Sequence, residues 1–273
     1  MNTTFLFRII CIFYLAGWWL CVISFFRDKK GFHRAGEFVL SSSLLVHLLY
    51  TGISFSQPEF SPFYTVAGIL QVLSVLIMII YLYLDYSYGK EIFELIFPPL
   101  TVFFLMLSNL LIHQTLVNLQ FISDSTFMSK AMLFVHAFCS MLGYSLFGGA
   151  CLASIFFLFQ EKKIKTKKLH LTDANLPSLG FLDRLNYRMV SSGFLFLTIG
   201  LLMGVSMRLI VSGKYEGVTP RQLIPLMTWL FYALILFDRS VRGLRGKTTA
   251  IWAILGFSAA LISFVYEMHV LIS

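Results

Sequence analysis

The sequence predicts an all-α membrane protein: a polytopic bundle of about eight transmembrane helices, with both termini on the outer, periplasmic side. Three observations carry this. Of the 273 residues, 58% are hydrophobic and only 12% are charged, about half the charge of a soluble domain. Apolar stretches of roughly 20 residues, the length that crosses a bilayer core, recur along the chain. Between them, Lys and Arg collect in alternate connections.

The first stretch, 5–26, is too long for the apolar part of a signal peptide, lacks a small-residue cleavage site and ends in Arg27, Asp28, Lys29 and Lys30. It is expected to be a span stopped by charge. Further spans are expected near 36–55, 64–86, 95–113, 131–160, 189–211, 223–237 and 250–270. Pro98 and Pro99 open the fourth, where a missing N–H costs nothing. Connections after the first, third, fifth and seventh spans hold all of the 21 Lys and Arg except Arg8, Lys130, Arg208, Lys214 and Arg221. This bias places those four connections in the cytoplasm.

The longest connection, 161–188, ends in LPSLGFLDRLNYRM, with Leu179, Leu182, Leu185 and Met189 at helical spacing. Two readings follow: a short amphipathic helix at the inner interface, or a cytoplasmic extension of the sixth span. There is no internal repeat and no separate soluble segment, so residues 1–273 are expected to form one integral membrane domain.

The net charge of +8 does not indicate nucleic acid. The charges sit in short clusters between spans, and no segment is polar enough to build such a face. Cys11, Cys21, Cys139 and Cys151 all fall inside apolar stretches without C-x-x-C spacing, and are expected to be small buried thiols. No P-loop, nucleophile elbow, zincin motif or dinucleotide turn is present. The chain is therefore expected not to be an enzyme, and its chemistry to be binding.

Ionisable groups within a span are costly and are functional candidates. His47 lies mid-way along the second span, and His136 early in the fifth, towards the outer side. His113 and His269 end the fourth and eighth spans on that side, and His33 and His170 are expected to be solvated in basic connections. A neutral imidazole is a good iron ligand, and haem takes one or two. Ser140, Gly143, Phe147 and Ala150 follow His136 at i+3/i+4 spacing, a wall against which a helix or a flat ligand can come close. Tyr144 lies two turns on, a candidate second donor. His136 and His47 are each either packing residues or ligands on these grounds. The G-x-x-x-G at Gly200 and Gly204 reads as helix packing.

The block VHAFCSMLGYSLFGGACLASIFFLFQEKKIK, then LPSLGFLDRLNYRMVSSGFLFLTIGLLMG, then TWLFYALILFDRSVRGLRGKTTAIWAILGFSAALISF, resembles the cytochrome c assembly protein family of the CcsA/CcmC/HemX type, most strongly over 134–264. The resemblance implies a bacterial inner-membrane or plastid protein that handles b-type haem, with other cytochrome c assembly proteins as partners. It implies that His136 is an outer haem ligand and His47 a ligand within the membrane, with His269 and Tyr144 as further candidates at the haem. The chain departs from better-known members in two places. Their tryptophan-rich WGxxWxWD motif is replaced by VSGKYEGVTPRQLIPLMTW, and Asp238 stands where they carry a histidine. These departures resemble the shorter HemX-like branch, which implies a second reading: a membrane regulator of glutamyl-tRNA reductase levels, or a scaffold acting through 161–188.

Overall fold

A computed structural model describes residues 3–27, 30–56, 65–89, 93–111, 127–166, 177–212 and 220–272. Among them are eight α-helices: α1 (Thr3–Arg27), α2 (Lys30–Ser54), α3 (Val66–Tyr88), α4 (Phe97–Leu110), α5 (Phe127–Lys165), α6 (Leu179–Ser212), α7 (Pro220–Val241) and α8 (Lys247–Ile272). A short 3₁₀ turn, Phe93–Leu95, leads into α4. The first seven contain stretches long and apolar enough to cross a membrane, and in α8 the apolar stretch among the described residues is Lys247–Ile262. The all-α, multi-span expectation holds, and Pro98 and Pro99 sit in the first turn of α4 as expected.

The helices fall into two compact units, Met1–Val117 and Asn118–Ser273. In the first, α1 crosses α2 closely because Gly36 faces the Cys21 thiol and the Gly17 carbonyl. A side chain at either glycine would hold the backbones apart. α3 is delimited by its own chemistry. Thr65 accepts a hydrogen bond from the Gly68 N–H at 3.0 Å, and Gly89 ends it with a left-handed φ of 54°, the usual conformation at this cap. α4 docks on α3 through the Ser108 hydroxyl, which donates to the Ala67 carbonyl at 2.6 Å. Trp18 donates from its indole to the Leu95 carbonyl at 3.0 Å, while Trp19 is exposed. The tryptophan pair thus divides its work: one ring ties α1 to the turn before α4, the other faces outward.

The second unit is organised by the seam between α5 and α6. Gly143 faces the Gly193 carbonyl and Leu197, and Gly193 in turn faces Phe147 and the Gly143 carbonyl. Phe147 stacks on Tyr232 of α7, ring centroids 3.6 Å apart. At 39 and 34 residues, α5 and α6 are about 58 and 51 Å long, well beyond a hydrocarbon core of about 30 Å. Both are therefore longer than an upright crossing of the membrane needs.

α6 is continuous from Leu179, so the second reading of that segment is the one observed. Its apolar face does not lie on a lipid surface. Leu182, Leu185 and Met189 are buried, and Leu182 packs with Phe157 of α5 and Ala250 of α8. Periodicity gives an apolar face, and the same stripe fits a lipid interface or a protein core.

Candidate functional site

His136 occupies the third turn of α5 and is half-buried against α6. Its Nδ1 lies 2.7 Å from the Gly200 carbonyl. A carbonyl only accepts, so Nδ1 carries the proton and Nε2 keeps its lone pair. A backbone acceptor holding one ring nitrogen is also how metal-binding histidines are oriented. The ring fits because α6 has no side chain beneath it. A Cβ on Gly204 would come within 2.8 Å of Nδ1 and 2.9 Å of Cε1. Gly200, one turn away, admits the Ser140 hydroxyl. The G-x-x-x-G pair is therefore more than helix packing: Gly200 holds the imidazole and Gly204 gives it room.

His47 has a different setting. It is fully buried in the first unit. Tyr14 Oη lies 3.2 Å from Nδ1, and Ser74 Oγ lies 3.4 Å from Nε2. Ser74 donates its own proton to the Gln71 carbonyl at 2.7 Å, so it accepts from Nε2–H, and the Tyr14 hydroxyl donates to Nδ1. Tyr14 also meets the imidazole edge-on. Both ring nitrogens thus have hydroxyl partners, and a metal at either would replace one of them. Close by, Gln71 donates to the Thr51 hydroxyl at 3.2 Å, extending a buried polar strip from α1 through α2 to α3.

Tyr144 lies eight residues beyond His136 on α5, about 12 Å along the axis. Its ring is edge-on to Phe147, at the level of the Phe147–Tyr232 stack. The backbone of His269 lies on α8, but its side chain, like the whole of His113 and His170, is outside the described residues. Trp229, retained where the tryptophan-rich motif would end, donates to the Thr198 hydroxyl at 2.8 Å and stacks on Phe194. It ties α7 to α6.

Two clusters escaped the sequence reading. Asp183, in the first turns of α6, accepts a two-pronged contact from Arg239 of α7, at 2.7 and 3.1 Å. It also accepts from the Gly246 N–H at 2.9 Å and the Thr249 hydroxyl at 3.3 Å, so one carboxylate joins α6, α7 and the start of α8. The Arg239 guanidinium lies over the Tyr187 ring, while Asp238 only pairs with Arg242 one turn on. The second cluster surrounds His33. Expected in a solvated connection, it instead sits in the first turn of α2, half-buried between Glu37 at 3.3 Å and Glu94 at 3.0 Å. The helix begins at Lys30, six residues before the expected span, and so draws these polar residues into the fold.

A family model described as Cytochrome C assembly protein matches residues 63–270. The chain is similar to the protein of Guillardia theta named cytochrome c biogenesis protein CcsA, at 26% identity over 280 residues, covering 97% of this chain and 90% of that one. The CcsA of Chlorella vulgaris is 36% identical over 108 residues, 39% of this chain and 34% of that protein. The CcsA of Prochlorococcus marinus strain NATL1A is 38% identical over 84 residues, 31% of this chain and 27% of that protein. In the latter two matches the chain spans about a third of the relative's length or less. With the family model covering most of its length, the chain belongs to the cytochrome c assembly protein family.

Proposed function

We propose that this protein binds haem and hands it on during cytochrome c biogenesis, with His136 as the outer iron ligand. The observation that carries the reading is the held imidazole: Nδ1 on the Gly200 carbonyl and the ring over Gly204. The donor chemistry fits haem, whose iron takes neutral imidazole, and which when bound supplies a Lewis-acidic centre for that nitrogen. The chain's own residues bind and orient. Gly200 holds Nδ1, Gly204 gives the ring room, and Tyr144 follows two turns further along α5. No step of bond-making is assigned to this chain.

His47 is the candidate for a ligand within the membrane, becoming one when Tyr14 or Ser74 gives up its place. His269 is the candidate for a second outer ligand. The haem is b-type, the partners are other cytochrome c assembly proteins, and the membrane is a bacterial inner membrane or a thylakoid. The relatives' names, all for cytochrome c biogenesis, favour this reading over the regulator of haem biosynthesis.

The test is the Soret band of the purified protein after reconstitution with haem. Wild type takes up haem, and His136→Ala loses most of it or shows a changed band. Wild-type protein that binds none overturns the reading. His136→Ala protein with an unaltered spectrum and affinity removes His136 as the ligand.

A further inference from the structure

The geometry points to a divalent transition-metal site at the cytoplasmic end of the first unit, formed by His33, Glu37 and Glu94. The three residues come from the start of α2 and the 3₁₀ turn before α4, and each offers a ligand atom within 4.8 Å of the others. Metal–donor distances of about 2.0–2.2 Å place neighbouring ligands of a tetrahedral ion roughly 3.4 Å apart, so the side chains draw together by about an ångström on binding.

Charge and burial argue for an occupant. Asp85, in the last turns of α3, is within hydrogen-bond reach of Glu37, so three carboxylates surround one imidazole. The Glu94 side chain is only 1% exposed, against 24% for His33 and 35% for Glu37. A carboxyl so buried calls for a proton or a cation to compensate it, and His33 supplies at most one positive charge to its glutamates. Nδ1 hydrogen-bonds Glu94 Oε2 at 3.2 Å and lies 3.0 Å from Oε1, and the Cys21 thiol also reaches this carboxyl.

A buried hydroxyl lies in the same unit. The Tyr81 side chain is fully buried, and among the described residues its hydroxyl has no hydrogen-bond partner. Among ionisable groups it feels Glu94 most strongly. An orphan hydroxyl at this depth calls for a ligand or a ligand-bound water.

One imidazole with carboxylate oxygens suits a borderline cation such as Zn²⁺, Mn²⁺ or Fe²⁺. Binding displaces the proton that His33 otherwise shares with its carboxylates. The bound ion cross-links α2 to the α3–α4 junction.

The experiment uses full-length protein in detergent, stripped with chelator and free of haem. Zn²⁺ is titrated calorimetrically, and Co²⁺ is followed by its visible d–d bands. Wild type and His136→Ala are expected to bind one equivalent of Zn²⁺ at micromolar affinity or tighter. Zn²⁺ raises their melting temperature, and Co²⁺ gives bands of an N/O site. Glu94→Gln and His33→Gln weaken binding at least tenfold and abolish the Co²⁺ bands. If Glu94→Gln does not fold, Glu37→Gln, at a more exposed position, carries the same expectation. Absence of Zn²⁺ and Co²⁺ binding by wild type below millimolar concentration overturns the site. So does binding that Glu37→Gln and His33→Gln leave unchanged. Because His136→Ala retains the metal while losing haem, failure here is distinguishable from failure of the haem reading.

Discussion

The His136 ring is positioned by what α6 lacks. With Ala at 204, a methyl group would sit 2.8 Å from Nδ1, closer than carbon and nitrogen tolerate. The imidazole would have to swing off, losing the 2.7 Å contact with the Gly200 carbonyl. Gly204→Ala is therefore expected to fold and to lower haem affinity about tenfold, the low end of the range for disturbing a ligand's supporting contact, read by Soret titration. Wild-type affinity in this variant would show that the notch does not set the ligand. His47 responds differently. Tyr14→Phe removes a hydroxyl from a buried histidine, which costs about 1–3 kcal/mol where the histidine is packing only, read as a lower melting temperature. Where His47 takes iron, the same change frees Nδ1 and raises haem occupancy. The sequence offered both histidines with equal weight. Which nitrogen each presents depends on partners 64, 33 and 27 positions away, and that register between helices is not written in any local pattern.

At the level of elements, the helices were legible because their apolar lengths and basic boundaries are local properties. Their cytoplasmic ends were not. The α6 extension shows an amphipathic period in sequence, and the same period serves a core once α5 and α8 lie beside it. Asp183, on the same extension, is the shared acceptor for α7 and the start of α8. Its side chain and that of Arg239 are 14% and 10% exposed. Asp183→Asn leaves the guanidinium without its counter-charge and is expected to cost about 2–3 kcal/mol, below the full buried-pair figure because some solvent reaches it. Arg239→Lys loses the two-pronged geometry and the contact with Tyr187, at about 1–2 kcal/mol. Thermal unfolding in detergent checks both, and an unchanged melting temperature for Asp183→Asn would contradict the role given to it. On the seam, Gly143→Leu meets the Gly193 carbonyl and the Leu197 amide, backbone atoms that cannot turn aside. The same melt should show it among the most destabilised variants.

For the whole molecule, the charge bias predicts an orientation that labelling can test. Lys165 and Arg242 are well exposed, each side chain at 67%, and both belong to connections assigned to the cytoplasm. The native cysteines are free and buried, so they contribute little background labelling. Lys165→Cys and Arg242→Cys are each expected to react with a membrane-impermeant maleimide only when the cytoplasmic face is accessible. Labelling of either from the outer face would reverse the topology and move His136 to the wrong side for the proposed role.

Asp183 also bears on the order in which the chain is built. Synthesis proceeds from the N-terminus, so Asp183 is made before Arg239, Gly246 and Thr249. Until those residues arrive the carboxylate has none of these partners. Arrival of α7 brings the guanidinium, and the turn into α8 adds its N–H and hydroxyl. A chain that stops before Arg239 therefore keeps this carboxylate hydrated rather than paired.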